Sequence, residues 1–133
     1  MAKYKHRIAD RLLERKILGK GAVLIEGPKW CGKTTTAKQI AKSVLDLGDS
    51  SVLMQSSQMI EFSPKTLLEG ATPRLVDEWQ ALPAIWDSIR SEVDKRGEPS
   101  QFILTGSSVL PEADATIHSG TGRFAHLKMR TMS

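Results

Sequence analysis

Apolar residues recur at helical spacing over residues 4–18, where Tyr4, Ile8, Leu12 and the pair Leu13 and Ile17 share a face and Gly19 supplies a stop. Ala22 to Ile25 is a short apolar run bounded by glycines, the pattern of a strand buried on both faces. From Thr34 to Leu47, the spacing of Ala37, Ile40, Ala41, Val44 and Leu45 predicts a second helix, ended by Gly48. Val52 to Met54 predicts a short strand. Ser63-Pro64 reads as an N-cap followed by proline at the first helical position, and Gly70 closes that short helix. Arg74 to Asp77 predicts a second buried strand. Pro83 to Arg96 predicts a helix, with Ile85, Ile89 and Val93 four apart, Trp86 beside them and Gly97 as terminator. Gln101 to Thr105 and Phe124 to Met129 predict two further strands. Residues 106–122, rich in Gly, Ser, Pro and Thr, read as a loop with one short helical turn. Strands alternating with helices imply βαβ units and a mostly parallel sheet covered on both faces, a three-layer α/β/α sandwich.

With 133 residues the chain has a one-domain length, long enough to bury a core without disulfides or a structural metal. Cys31 is the only cysteine, so an internal disulfide is impossible. No apolar run approaches a membrane span, and no apolar segment near the N-terminus marks a secretory signal. These features point to the cytoplasm and away from a membrane. The net charge of +4 belongs to the two ends. Residues 1–20 hold seven Lys/Arg against Asp10 and Glu14, and residues 21–114 hold nine against thirteen acids. Arg123, Lys128 and Arg130 follow with no acid after Asp114. A basic end can touch nucleic acid, but the charges surround the first helix and the chain has no asparagine to read a base. The expectation is weak nucleic-acid binding or none, with a solvated helix face.

The segment Gly27-Pro28-Lys29-Trp30-Cys31-Gly32-Lys33-Thr34 fits the pattern G-x-x-x-x-G-K-[ST], with Thr35 following. Each fixed position has a physical task. The glycines let backbone N–H groups curl around phosphate oxygens. Lys33 brings a point charge to the β- and γ-phosphates of ATP, and Thr34 offers a hydroxyl to Mg²⁺. The following helix turns its N-terminal dipole toward the anion. The segment lies between an apolar strand and an amphipathic helix, the setting this motif requires.

Leu75-Val76-Asp77-Glu78 is a buried strand ending in two acids, 43 residues beyond Thr34. Asp77 would hold Mg²⁺ directly or through water, and Glu78 would activate the attacking water. The strand Phe102-Ile103-Leu104-Thr105 empties into Gly106-Ser107-Ser108, and Thr105 or Ser107 is placed to polarise water or sense the γ-phosphate. In Gly120-Thr121-Gly122-Arg123 a glycine-flanked arginine has the form of an arginine finger, with Arg130 a rival. Trp30 and Trp79 are large enough to stack on a base, but packing is the simpler reading. His6, His118 and His126 have no metal-ligand spacing.

The runs Gly21 to Thr36, Thr72 to Gln80, Glu92 to Gly97, Gln101 to Ser107 and His118 to Arg123 closely resemble a prokaryotic family of AAA-type ATPases, and the likeness spans nearly the whole chain. The resemblance implies an AAA-type P-loop core, a five-stranded sheet in the order 5-1-4-3-2, and ATP and Mg²⁺ as ligands. The roles read for Lys33, Thr34, Asp77 and Glu78 agree with the family pattern. Family members usually continue past the position of Ser133 into a further domain, and the stretch from Val52 to Thr72 is shorter than usual. A core without the lid implies an arginine delivered by a second copy of the chain or by Arg123 itself. The leading expectation is Mg²⁺-dependent ATP binding with slow hydrolysis. The alternative is a binding module switched by nucleotide, with negligible turnover. A small P-loop kinase is disfavoured by the paired Asp77-Glu78, since a kinase keeps water from the γ-phosphate.

Overall fold

The computed structural model describes residues 2–27, 32–106 and 124–129, with side chains from residue 11 onward. The elements run α1 (Ala2–Gly19), β1 (Ala22–Glu26), α2 (Lys33–Lys38), β2 (Ser43–Asp46), α3 (Ser50–Phe62), α4 (Pro64–Leu68), β3 (Arg74–Asp77), α5 (Ile85–Arg96), β4 (Phe102–Gly106) and β5 (Phe124–Lys128). A 3-10 turn, Trp79–Ala81, follows β3.

All strand pairings are parallel, in the order β2-β3-β4-β1-β5, which from the other edge is the expected 5-1-4-3-2. Alternate residues of the central strands face opposite layers. Ala22, Leu24, Val76, Phe102 and Leu104 pack against Leu67 and Leu68 of α4 and Ile85, Ile89 and Val93 of α5. Val23, Ile25, Leu75 and Ile103 pack against Leu13 and Ile17 of α1 and Ala37 of α2. Each layer supplies an apolar face to the sheet, and the result is a three-layer α/β/α sandwich. Leu13 and Ile17 are buried as the helical spacing of α1 requires, while Arg11, Arg15 and Lys20 are exposed. Gly97 ends α5 in the left-handed region at φ 65°, its N–H donating to the Val93 carbonyl.

Two expectations fail between Lys38 and Phe62. The helix from Thr34 stops at Lys38, and Ser43–Asp46 is the edge strand β2. Val52 to Met54 lies inside α3. The physical reason is a choice of period. Leu45 and Leu47 are buried while Val44 and Asp46 face solvent, a spacing of two. Pairing with β3 in the register Ser43↔Arg74 to Asp46↔Asp77 then overrides local helix preference. In α3, Val52, Leu53, Ser56 and Ile60 turn inward at helical spacing. Asp49 caps that helix through Ser51 N–H and Val52 N–H. Ser63 stands at the N-cap of α4 with Pro64 after it, as expected; its carbonyl accepts from Thr66 N–H at 3.0 Å, while its hydroxyl lies 2.7 Å from the Thr66 hydroxyl and caps no backbone N–H.

Candidate functional site

Three elements meet at the carboxyl edge of the sheet. β1 ends at Glu26, and Gly32, at φ 87° in the left-handed region, leads into α2 at Lys33. A Cβ at that φ would be strained, so the turn into the helix asks for glycine. Lys33 is buried, Thr34 half-buried and Thr35 exposed. α2 has six residues, so the extended helix dipole expected behind the phosphate loop reduces to little more than one turn. Pro28, Lys29, Trp30 and Cys31 lie outside the described residues, as do Ser107, Arg123 and Arg130.

Asp77 closes β3, between β2 and β4. Thr34 Oγ1 donates to Asp77 Oδ1 at 2.8 Å, and Thr105 Oγ1 donates to the same oxygen in a short hydrogen bond. Glu78 N–H donates to Thr105 Oγ1 at 3.1 Å. Site residues expected from three separate stretches of sequence therefore converge: Thr34 from α2, Asp77 at the end of β3 with Glu78 directly after it, and Thr105 from β4. The oxygen pair of Thr34 and Asp77 fits Mg²⁺. Both are hard donors, and neighbouring ligands of an octahedral ion with bonds of ~2.0–2.1 Å lie about 2.9 Å apart. Among the described residues no three or more His, Cys, Asp or Glu come together as a metal cluster.

Three neighbours of this site were not expected from the motifs. Glu78 adopts φ 57° and ψ 52° and turns the chain into the 3-10 turn. A Cβ on Gly48, in the β2–α3 turn, would lie 3.6 Å from Glu78 Cγ and 3.2 Å from Asp46 Oδ1. A methyl on Gly48 would thus touch the side chain of Glu78. A Cβ on Gly106 would lie 2.9 Å from Gln80 Oε1 and 3.1 Å from Trp79 Nε1, so the turn after Glu78 folds directly over the end of β4. The glycine in Leu47-Gly48-Asp49 was legible as a stop signal, but its contact with Glu78 depends on the β2–β3 register. Glu26, buried beside the phosphate loop, has its carboxylate 3.2 Å from His126 Nδ1.

Trp79 belongs to the core. Its ring lies 5.0 Å from Trp86, whose ring lies 4.8 Å from Phe124. No described helix is long and apolar enough to cross a membrane.

The family model described as AAA domain matches residues 19–133. The chain belongs to this AAA domain family, and its fold is the AAA-type P-loop α/β fold of nucleotide-binding ATPase domains. The uncharacterized proteins Rv2008c of Mycobacterium tuberculosis and Mb2031c of Mycobacterium bovis are each 27% identical over 106 residues, covering 78% of this chain and 24% of their own length. The chain spans about a quarter of the length of these curated relatives. Among solved structures, that of C. elegans PCH-2 aligns with 98% of this chain and 41% of its own at a TM-score of 0.50 and 14% identity. The Aeropyrum pernix ORC2 protein, solved in ADPNP-ADP complexes, aligns with 97% of this chain and 46% of its own at a TM-score of 0.50 and 15% identity. These two likenesses are likenesses of fold.

Proposed function

We propose that this domain binds ATP with Mg²⁺ and hydrolyses it slowly. The observation that carries the reading is the meeting of Thr34, Asp77 and Thr105 on one carboxylate oxygen, with Glu78 next in the chain. Lys33 places its ammonium on the phosphates. Thr34 and Asp77 hold Mg²⁺, which when bound neutralises phosphate charge. In the run Gly27-Pro28-Lys29-Trp30-Cys31-Gly32-Lys33-Thr34-Thr35 the backbone N–H groups, Pro28 having none to give, would cradle the phosphate oxygens. Glu78 takes the proton of the attacking water, as a carboxylate near the γ-phosphate can. Arg123, from this copy or another in a homo-oligomer, stabilises charge in the transition state.

The test separates binding from chemistry. Lys33→Ala removes a charge-assisted contact of ~1.5–3 kcal/mol and is expected to weaken ATP binding about tenfold or more in calorimetry. Glu78→Gln keeps the shape and removes the base, so it is expected to retain ATP and lose single-turnover hydrolysis. Equal ATP affinity for Lys33→Ala and the parent would sink the site. Undiminished hydrolysis by Glu78→Gln would sink the role of Glu78.

A further inference from the structure

Thr105 is fully buried on β4, in a strand whose neighbours Phe102, Ile103 and Leu104 are apolar. A valine would fill the same volume, so the hydroxyl has a polar reason to be there. A threonine hydroxyl carries one proton and two lone pairs. Here the proton goes to Asp77 Oδ1, and one lone pair takes Glu78 N–H at 3.1 Å. While those bonds stand, Thr105 has no proton to give to a phosphate oxygen or a water.

The residue it holds is conformationally unusual. Glu78 sits in the left-handed region at φ 57° and ψ 52°, which side chains other than glycine, asparagine and aspartate seldom visit. Such a backbone persists where its surroundings over-determine it. Thr105 takes the Glu78 amide, and Ala81 N–H donates to the Glu78 carbonyl at 3.0 Å. Gly48, in the β2–α3 turn, also lies near this acid. A methyl there would lie 3.6 Å from Glu78 Cγ and 4.0 Å from its Cβ. Thr105 thus holds the amide of Glu78, while a methyl on Gly48 would just reach its side chain.

We infer that Thr105 is a positioning residue: its single hydroxyl ties both acids at the end of β3 to one point on β4, and it acts on hydrolysis only through them. It sets the carboxylate of Asp77 and the left-handed turn of Glu78 before nucleotide arrives. This deepens the reading of the site as an ATP site and rests on it.

The experiment uses Thr105→Val, which keeps the shape and removes both hydrogen bonds, with Thr105→Ser as the conservative control. Hydrogen exchange of the Glu78 amide is followed by NMR on the nucleotide-free chain. Exchange about tenfold or more faster in the valine variant, and unchanged in the serine variant, is expected. The valine variant is also expected to lose about tenfold or more in single-turnover rate while its ratio of ATP to ADP affinity stays within about twofold. Serine is expected to restore the rate to within about threefold of the parent. Undiminished protection of the Glu78 amide in Thr105→Val overturns the inference. So does a selective tenfold loss of ATP over ADP affinity, which would put the hydroxyl on the γ-phosphate instead. If valine does not fold, Thr105→Cys, similar in size and a poor hydrogen bonder, takes its place in each measurement. A parent chain that binds no ATP would refute the nucleotide site, and the exchange of Glu78 would still decide whether Thr105 holds the turn.

Discussion

Thr34 Oγ1 and Asp77 Oδ1 lie 2.8 Å apart, joining the start of α2 to the end of β3 across 43 positions of sequence. A hydroxyl and a carboxylate at that spacing form an edge that suits Mg²⁺, and the same carboxylate without the ion faces the phosphates with like charge. Asp77→Ala is therefore expected to weaken Mg·ATP binding by about tenfold or more, some 1.4 kcal/mol. With EDTA present the sign changes: the variant is expected to bind metal-free ATP as well as the parent or better. Calorimetry in the two buffers checks both arms, and an equal loss in each would remove Asp77 from the metal site.

Gly21 precedes β1, and its carbonyl accepts from Gln101 N–H and Phe102 N–H. A Cβ there would lie 2.4 Å from Val93 Cγ1, inside the buried face of α5. Overpacking of this kind costs ~1–3 kcal/mol. Gly21→Ala is expected to lower the denaturation midpoint accordingly, and adding Val93→Ala should return part of the loss by making room. A midpoint equal to the parent's for Gly21→Ala alone would show that α5 moves freely over the sheet.

β1 and β4, the strands buried along their whole length, could be read from sequence. Arg74–Asp77 was legible to the residue, and β1 and β4 to within one residue at either end, because each is an apolar run cut off by turn residues; β5, a partly buried edge strand, was legible to within one residue through Phe124, Ala125 and Leu127. β2 was not, because within it only Leu45 is buried and its apolar residues fit a helix as well as a strand. Val44 faces solvent at 42% exposure, and the set Ala37, Ile40, Ala41, Val44 and Leu45 satisfies a helical spacing just as well. The signal that would have corrected it was Asp49-Ser50-Ser51, a cap motif announcing that a helix begins there. For the site, the chemistry of Lys33, Thr34 and Asp77 follows from motif spacing. The contact of Gly48 with Glu78 does not, since it exists only once Asp46 is paired beside Asp77.

Asp49 also carries a pH dependence. Its carboxylate is held below the ordinary aspartate value by the Ser51 hydroxyl first, then by the backbone N–H groups of Val52 and Ser51. A lowered pKa in the folded state means that the cap stabilises above the unfolded value of about 4 and that this contribution fades as pH falls through the folded value. Asp49→Ala is expected to melt below the parent at neutral pH, with the gap narrowing as pH falls below about 4. Melting curves followed by circular dichroism at pH 7 and at acid pH make the comparison. A gap that is the same at both would mean that the charge of Asp49 contributes nothing to the cap.

Gly48 offers a way to move Glu78 without changing either acid. Its amide donates to Asp46 Oδ1 at 3.0 Å, a bond that no side chain at this position removes. The size of the side chain is another matter. A methyl would meet Asp46 Oδ1 at 3.2 Å, and Asp46 is exposed and free to shift; at 3.6 Å it would merely touch Glu78 Cγ. Gly48→Ala is accordingly expected to keep hydrolysis within about threefold of the parent. Branching changes the outcome, because a valine projects a further methyl toward the same space and one of the two acids must give way. With the Glu78 amide held by Thr105 and its carbonyl taken by Ala81, the side chain is the part that turns. Gly48→Val is expected to bind Mg·ATP within about threefold of the parent and to lose about tenfold or more in single-turnover rate, a barrier increase of ~1.4 kcal/mol. That split marks a displaced base, since a damaged phosphate site would lose affinity as well. A valine variant that hydrolyses ATP as fast as the parent would show that Glu78 is not held against this turn when nucleotide is bound.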